Sequence, residues 1–141
     1  MKAERNRLKR LQRLEKVRAI AKQAAAAEAA RAEGTLAQLK TLAERTQRLA
    51  DSYAQRSDAR DAAALLQLTR FAVGLQKIAG NTAGDANTAR IVADRKLAEL
   101  ASAEVSRAAV EDRAHRQARV IAKKGEVPAL GSRRGFGTGL E

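Results

Sequence analysis

From residue 2 to about residue 55 the chain contains no proline and a single glycine, Gly34. Over that stretch Leu11, Leu14, Arg18, Ala21, Ala25, Glu28, Ala32, Thr35, Leu39, Leu42, Thr46, Leu49 and Tyr53 follow one another at steps of three and four. That spacing predicts one unbroken amphipathic helix with a coiled-coil seam. At a rise of about 1.5 Å per residue such a helix would be roughly 80 Å long, more than twice the diameter of a compact domain of this size. A globular core helix is therefore excluded, and the rest of the chain is expected to return alongside.

Composition supports the same reading. Aromatic residues make up 2% of the 141-residue chain and the apolar 45% is largely alanine. Alanine is too small to fill a thick core, whereas Ala, Leu, Arg, Lys and Glu at helical periodicity are the signature of long paired helices. Cysteine is absent, which removes disulfides and thiolate metal sites. No wholly apolar block, the alanines of residues 24–27 included, approaches the ~18 residues of a membrane span. Glu4 and Glu15 interrupt the arginine-rich start, unlike a transit presequence, so a cytoplasmic protein is expected.

After Tyr53 the hydrophobic pattern lapses, and Ser57 and Asp58 are good helix N-caps with Asp61 in the new first turn. The reversal is therefore placed near residues 56–61. A second seam follows, with Leu65, Leu68, Ala72, Leu75 and Ala79 at heptad spacing, broadened by Leu66, Phe71 and Ile78. Residues 80–86 hold Gly80 and Gly84 and read as a kink, a loop or a continuation. Continuation is preferred, because it makes the second arm long enough to give each seam residue of the first a partner. Beyond it Ala93, Leu100, Ala103, Val110, Ala114 and Ile121 continue the seam, with Lys96, Arg107 and Gln117 interposed. The predicted fold class is all-α, an elongated antiparallel two-helix coiled-coil hairpin over residues 1–124. Residues 125–141, with Pro128 and repeated glycines, read as a flexible tail.

The charge is unevenly spread. Nine basic against two acidic residues stand in residues 1–22, and six against two in residues 107–124, so these segments hold most of the net +12. Cations at a helix N-terminus oppose the helix dipole, and a departure from local preference of that kind marks function. Antiparallel return would set both segments side by side as a basic foot opposite a near-neutral tip. Arg5, Arg7, Arg10, Arg13, Arg113, Arg116 and Arg119 are the candidate partner-binding residues, since arginine keeps its charge and bonds carboxylates bidentately.

Catalysis finds little material. His115 is the only histidine and stands between Arg113 and Arg116, and the carboxylates are scattered among basic neighbours without a paired or metal-ligating arrangement. No enzyme activity, cofactor or metal is expected. Residues 135–139 resemble a glycine loop only superficially, since no strand precedes them, while Phe136 beside Arg133 and Arg134 could serve as a docking hook. The foot could neutralise phosphates, yet zinc-finger ligands and interleaved aromatics are missing, so specific nucleic-acid recognition and membrane insertion are not expected.

Leucines three apart among basic residues (Leu8, Leu11, Leu14, then Val17), Tyr53 near the reversal and a second helix opening with Phe71-x3-Leu75-x2-Ile78 together resemble the FliJ family. These are small, basic coiled-coil proteins of the flagellar type III export apparatus, with counterparts in virulence secretion. The resemblance covers about residues 4–124. It implies a non-enzymatic stalk whose two termini stand in the pore of a hexameric export ATPase, with the membrane export gate and export chaperones as further partners. It further implies a place in the cytoplasm, peripheral to the inner-membrane export apparatus. The alternative from another class is a general basic helical module that binds nucleic acid or another polyanion.

Overall fold

The computed structural model describes residues 1–56 and 58–132, with side chains through Glu126. Two helices account for almost all of them: α1 (Lys2–Ala54) and α2 (Ala62–Ser132). There is no strand among the described residues, and the fold is the all-α antiparallel hairpin expected from periodicity.

The ends of the helices follow local chemistry. The Arg5 amide donates to the Met1 carbonyl at 3.0 Å and opens α1. At its far end Arg56 N–H bonds the Tyr53 carbonyl at 3.3 Å, a three-residue span that tightens the last turn. The cap of α2 differs from the sequence expectation. Asp61 itself accepts the Ala64 amide on its carboxylate at 2.7 Å, and its carbonyl accepts the Leu65 amide at 3.1 Å, so it is the N-cap and not a first-turn residue. Asp58 precedes the helix, and Ser57 lies outside the described residues. Asp58 and Asp61 have the same capping chemistry, so residue type alone does not choose between them.

Residues 80–86 are helical, as the preferred reading expects, and so, against expectation, are residues 125–132. α2 passes through residues 80–86 without a break, and the backbone of neither Gly80 nor Gly84 takes the left-handed conformation a turn would use. It also continues past Gly125 to Ser132. Glycine ends a helix only by adopting the left-handed region, and Gly125 does not. Residues 133–141, which include Arg133, Arg134 and Phe136, lie outside the described residues.

The chain divides into two compact units, one formed by Met1–Ala24 with Ala101–Glu141, the other by Ala25–Leu100. In the second, antiparallel pairing is marked by Lys96 Nζ donating to Glu28 Oε2 at 3.0 Å and Gln47 Nε2 to Gln76 Oε1 at 3.5 Å. Near the reversal the Tyr53 and Phe71 rings meet edge to face at 4.7 Å, and the Arg56 guanidinium lies 4.5 Å from the Tyr53 ring centre. Ala29, Ala50, Leu75, Ala79, Ala86 and Ala93 are buried, together with Thr82, whose hydroxyl donates to the Ile78 carbonyl at 2.8 Å. In the first unit the buried apolar residues are Val110 and Ala114.

The seam of α2 agrees with the sequence reading from Leu68 onward, whereas that of α1 does not. One of the expected rows is partly covered, with Leu11, Ala25, Ala32, Leu39, Thr46 and Tyr53, although Arg18 is exposed. The other is displaced by one position: Leu8, Ala29, Leu36, Ala43 and Ala50 face inward, and Leu14, Leu42 and Leu49 are left outside. The facing helix presents Ala79, Thr82, Ala86 and Ala93, and small residues on both sides let two backbones approach closely. The alanine row of α1 matches that surface, and a leucine row would hold the helices apart. Leu65, expected in the seam of α2, is half exposed at its first turn.

Candidate partner-binding surface

The unit formed by Met1–Ala24 and Ala101–Glu141 carries seventeen basic against seven acidic residues, a net +10, while the other carries eleven against nine, a net +2. Nearly all the excess charge thus belongs to the unit that holds both ends of the chain. Within it Lys124 bonds Glu4, and Lys22 Nζ lies 2.8 Å from Glu104 Oε2. These contacts join the early turns of α1 to late turns of α2 and set the two basic segments together, as antiparallel return requires.

Three of the seven acidic residues of this unit, Glu4, Glu104 and Glu111, are engaged in ion pairs within it. Arg107 donates to Glu104 through Nε at 3.0 Å and Nη2 at 2.9 Å, and to Glu111 through Nη1 at 2.8 Å. Glu104 accepts from both Arg107 and Lys22. The Arg107 hydrogen bonds first, and that of Lys22 second, hold its carboxyl down to about 2, well below the ordinary 4.5. The same contacts with Glu104 and Glu111 push the Arg107 guanidinium further up. The hydrogen bond from Lys124 likewise holds Glu4 below its ordinary value. In the +2 unit the Lys96 hydrogen bond lowers Glu28, and its bonds to Glu28 and Glu99 raise Lys96. Lys96 and Arg107 occupy seam positions, so both cationic interruptions of the α2 seam are answered by carboxylates.

By contrast, Arg5, Arg7, Arg10, Arg13, Arg113, Arg116 and Arg119 are all exposed, and among the described residues none takes part in an ion pair. Their seven charges are therefore available to an external partner. They do not form one uniform ring. Counted from the buried rows, with Leu8 at a and Leu11 at d in α1, and Ala114 at a and Val110 at d in α2, Arg7 and Arg113 stand at g and Arg10 and Arg116 at c. In an antiparallel pair the g positions of the two helices lie on the same flank. Arg7, Arg10, Arg113 and Arg116 therefore share a flank, joined by Lys123 at another c position. Arg5 falls at e, on the opposite flank with Glu104 and Glu111, and Arg13 and Arg119 lie at f, facing away from the seam.

The basic flank carries exposed aliphatic residues as well: Leu14 and Val120 at g and Val17 at c. Sequence reasoning missed them because it assigned Leu14 to the seam. The inward positions beside it, Glu15 and Lys22, are charged, so hydrophobicity offered no signal that would turn Leu14 outward. Lys123 was missed because the candidate set was limited to arginine.

Elsewhere, a cleft of about 310 Å3 near the reversal is lined by Tyr53, Ala54, Arg56, Leu65, Leu68, Thr69, Ala72, Val73 and Gln76. Its lining offers no acid–base pair. Among the described residues no three His, Asp or Glu side chains stand close enough to hold a metal ion, and no helix is long and apolar enough to cross a membrane. His115 is an exposed side chain at b of α2. Compared with family models, with curated proteins and with solved structures, the chain matches none.

Proposed function

We propose that this chain is a non-enzymatic coiled-coil coupling protein of a flagellar type III export apparatus. Its basic unit binds the ring of the export ATPase and links that ring to the membrane export gate. The observation that carries the reading is the partition of charge: the unit containing both ends of the chain has a net +10, its carboxylates Glu4, Glu104 and Glu111 already paired and its seven arginines exposed. A narrow cationic pair of helices suits an acidic central channel, where each arginine can meet a carboxylate in a two-point hydrogen bond. The FliJ-like layout of Leu8, Leu11, Leu14, Val17, Tyr53 and Phe71 supplies the choice of channel.

The shared flank of four arginines sharpens the test. Arg7, Arg10, Arg113 and Arg116 make the principal contact, with Arg5, Arg13 and Arg119 completing the surround. The purified chain is used to recover partners from lysate of its source cell after nuclease treatment. Recovery of a hexameric ATPase by the unaltered chain, and its loss with Arg10→Glu/Arg116→Glu, is the expected result. If nuclease removes every partner, and affinity for arbitrary duplexes falls steeply with salt, the chain is a polyanion-binding module and the export reading fails.

A further inference from the structure

The displacement of the α1 seam has a counterpart on α2. In the unit Ala25–Leu100, Leu42 and Leu49 stand at g of α1 and Phe71 and Ile78 at g of α2, with 51%, 46%, 50% and 54% of their surfaces exposed. Because g faces g in an antiparallel pair, all four lie on one flank. The pairing of Gln47 with Gln76 and of Glu28 with Lys96 sets the register, and along it the order is Phe71, Leu49, Ile78, Leu42, alternating between helices. Over the same span the other flank carries Lys40, Gln47, Gln76 and Ala83 at its e positions. The e positions of this span are thus mostly polar, with Leu66 and Val73 exposed at the outer b positions beside them, and the g positions form an aliphatic and aromatic strip.

Four side chains of this size, each about half exposed, present roughly 100 Å2 apiece, or about 400 Å2 in all, at the upper end of what a monomer leaves uncovered. A stable interface takes about 800 Å2 per partner, with an apolar centre and a polar rim. The strip has the size of such a centre. The outer c positions beside it, Arg45, Ser52, Gln67, Gly74 and Asn81, supply a rim with one charge, and nothing lies within 4 Å of where a Gly74 side chain would begin.

Charge selects the occupant. The strip belongs to the +2 unit, while an acidic partner would find its complement in the +10 unit and gain nothing here. A second copy of this chain is itself strongly cationic, and a nearly uncharged flank is where two such copies can meet without repulsion. The flank is also self-complementary, since a two-fold rotation in its plane lays leucines and Phe71/Ile78 of one copy against the same set of the other. We propose that the Leu42, Leu49, Phe71 and Ile78 flank is a homodimer interface, which makes a four-helix layer from two hairpins. This stands independently of the export reading.

Sedimentation of the full chain from about 1 to about 200 µM, in moderate salt to screen the net charge, tests it. The expected mass rises with concentration to twice the 15.2 kDa of the chain. Leu49→Glu/Ile78→Glu stays at the monomer mass throughout with unchanged helical circular dichroism, and Gln76→Glu on the other flank still dimerises. Because the chain has no cysteine, a second measurement needs little perturbation: Leu49→Cys is joined to its partner copy by a short bismaleimide, and Gln47→Cys is not. A wild-type chain that stays monomeric throughout overturns the proposal and leaves the flank to a different protein. A dimer that survives Leu49→Glu/Ile78→Glu, or equal cross-linking from both flanks, overturns it as well.

Discussion

Replacing Gly80 and Gly84 by alanine should make this protein more stable, by an amount the structure allows to be worked out. Both glycines lie inside α2, neither backbone is left-handed, and an added Cβ at either would meet no atom within 4 Å. Neither turn geometry nor close packing within the chain requires glycine there. The remaining difference is the conformational entropy glycine loses in a helix, about 1 kcal/mol per site relative to alanine. One turn apart, the two added Cβ atoms stay about 6 Å from each other, beyond contact, so the two backbone effects sum to about 2 kcal/mol. Unfolding entropies near 2 cal/mol/K per residue over 141 residues convert this to a rise in Tm of roughly 7 °C. Thermal and urea melts followed at 222 nm, with the urea slope unchanged, are the assay. A fall in Tm for Gly80→Ala/Gly84→Ala would refute the reasoning, because it would mean that the segment forms a turn with glycine in the left-handed region.

Three further outcomes follow from the packing and the ion pairs. Leu75→Ala, at a buried seam position, should cost about 2–3 kcal/mol, and Leu14→Ala, at an exposed one, less than about 1 kcal/mol; equal losses in denaturant melts would contradict the displaced α1 seam. Asp61→Ala removes the acceptor of the Ala64 amide and should cost about 1 kcal/mol, whereas Asp58→Ala should leave the melt unchanged. Glu104, held down to about 2, and Glu4 and Glu28, held below their ordinary value, contribute stability that is complete above about pH 4.5 and lost as pH falls towards 2. The Tm should therefore be level from pH 8 to 5 and fall below that, with a shallower fall in Glu104→Gln; an undiminished fall in that variant would remove Glu104 from the account.

Much of this molecule can be read directly from residue order, because its determinants are local. Proline-free three-and-four spacing makes Lys2–Ala54 a helix whatever its neighbours, the lapse after Tyr53 breaks it, and a return path of similar length requires an antiparallel partner. The seam of α2 was legible for the same reason, since Leu68, Leu75, Ala79, Ala93 and Val110 form the inward row pair that heptad spacing picks out, with Phe71 and Ile78 only broadening it. The basic surface was legible as a set of arginines but not as a flank. Its division into Arg7, Arg10, Arg113 and Arg116 on one side and Arg5 on the other depends on which row of α1 turns inward.

That choice was left to the tertiary structure. The apolar face of α1 is wider than a two-helix seam can cover, so Leu39 and Thr46 can pair inward with either Leu42 and Leu49 or Ala43 and Ala50. Hydrophobicity alone selects the leucines. What selects the alanines is the facing surface of Ala79, Thr82, Ala86 and Ala93, about thirty or more residues away in sequence, whose small side chains reward close approach of the backbones. Sequence order therefore determines that this chain is a helical hairpin and where its charge resides. Packing between the two arms decides which leucines it buries and which it turns outward, because the width of the gap belongs to both helices together.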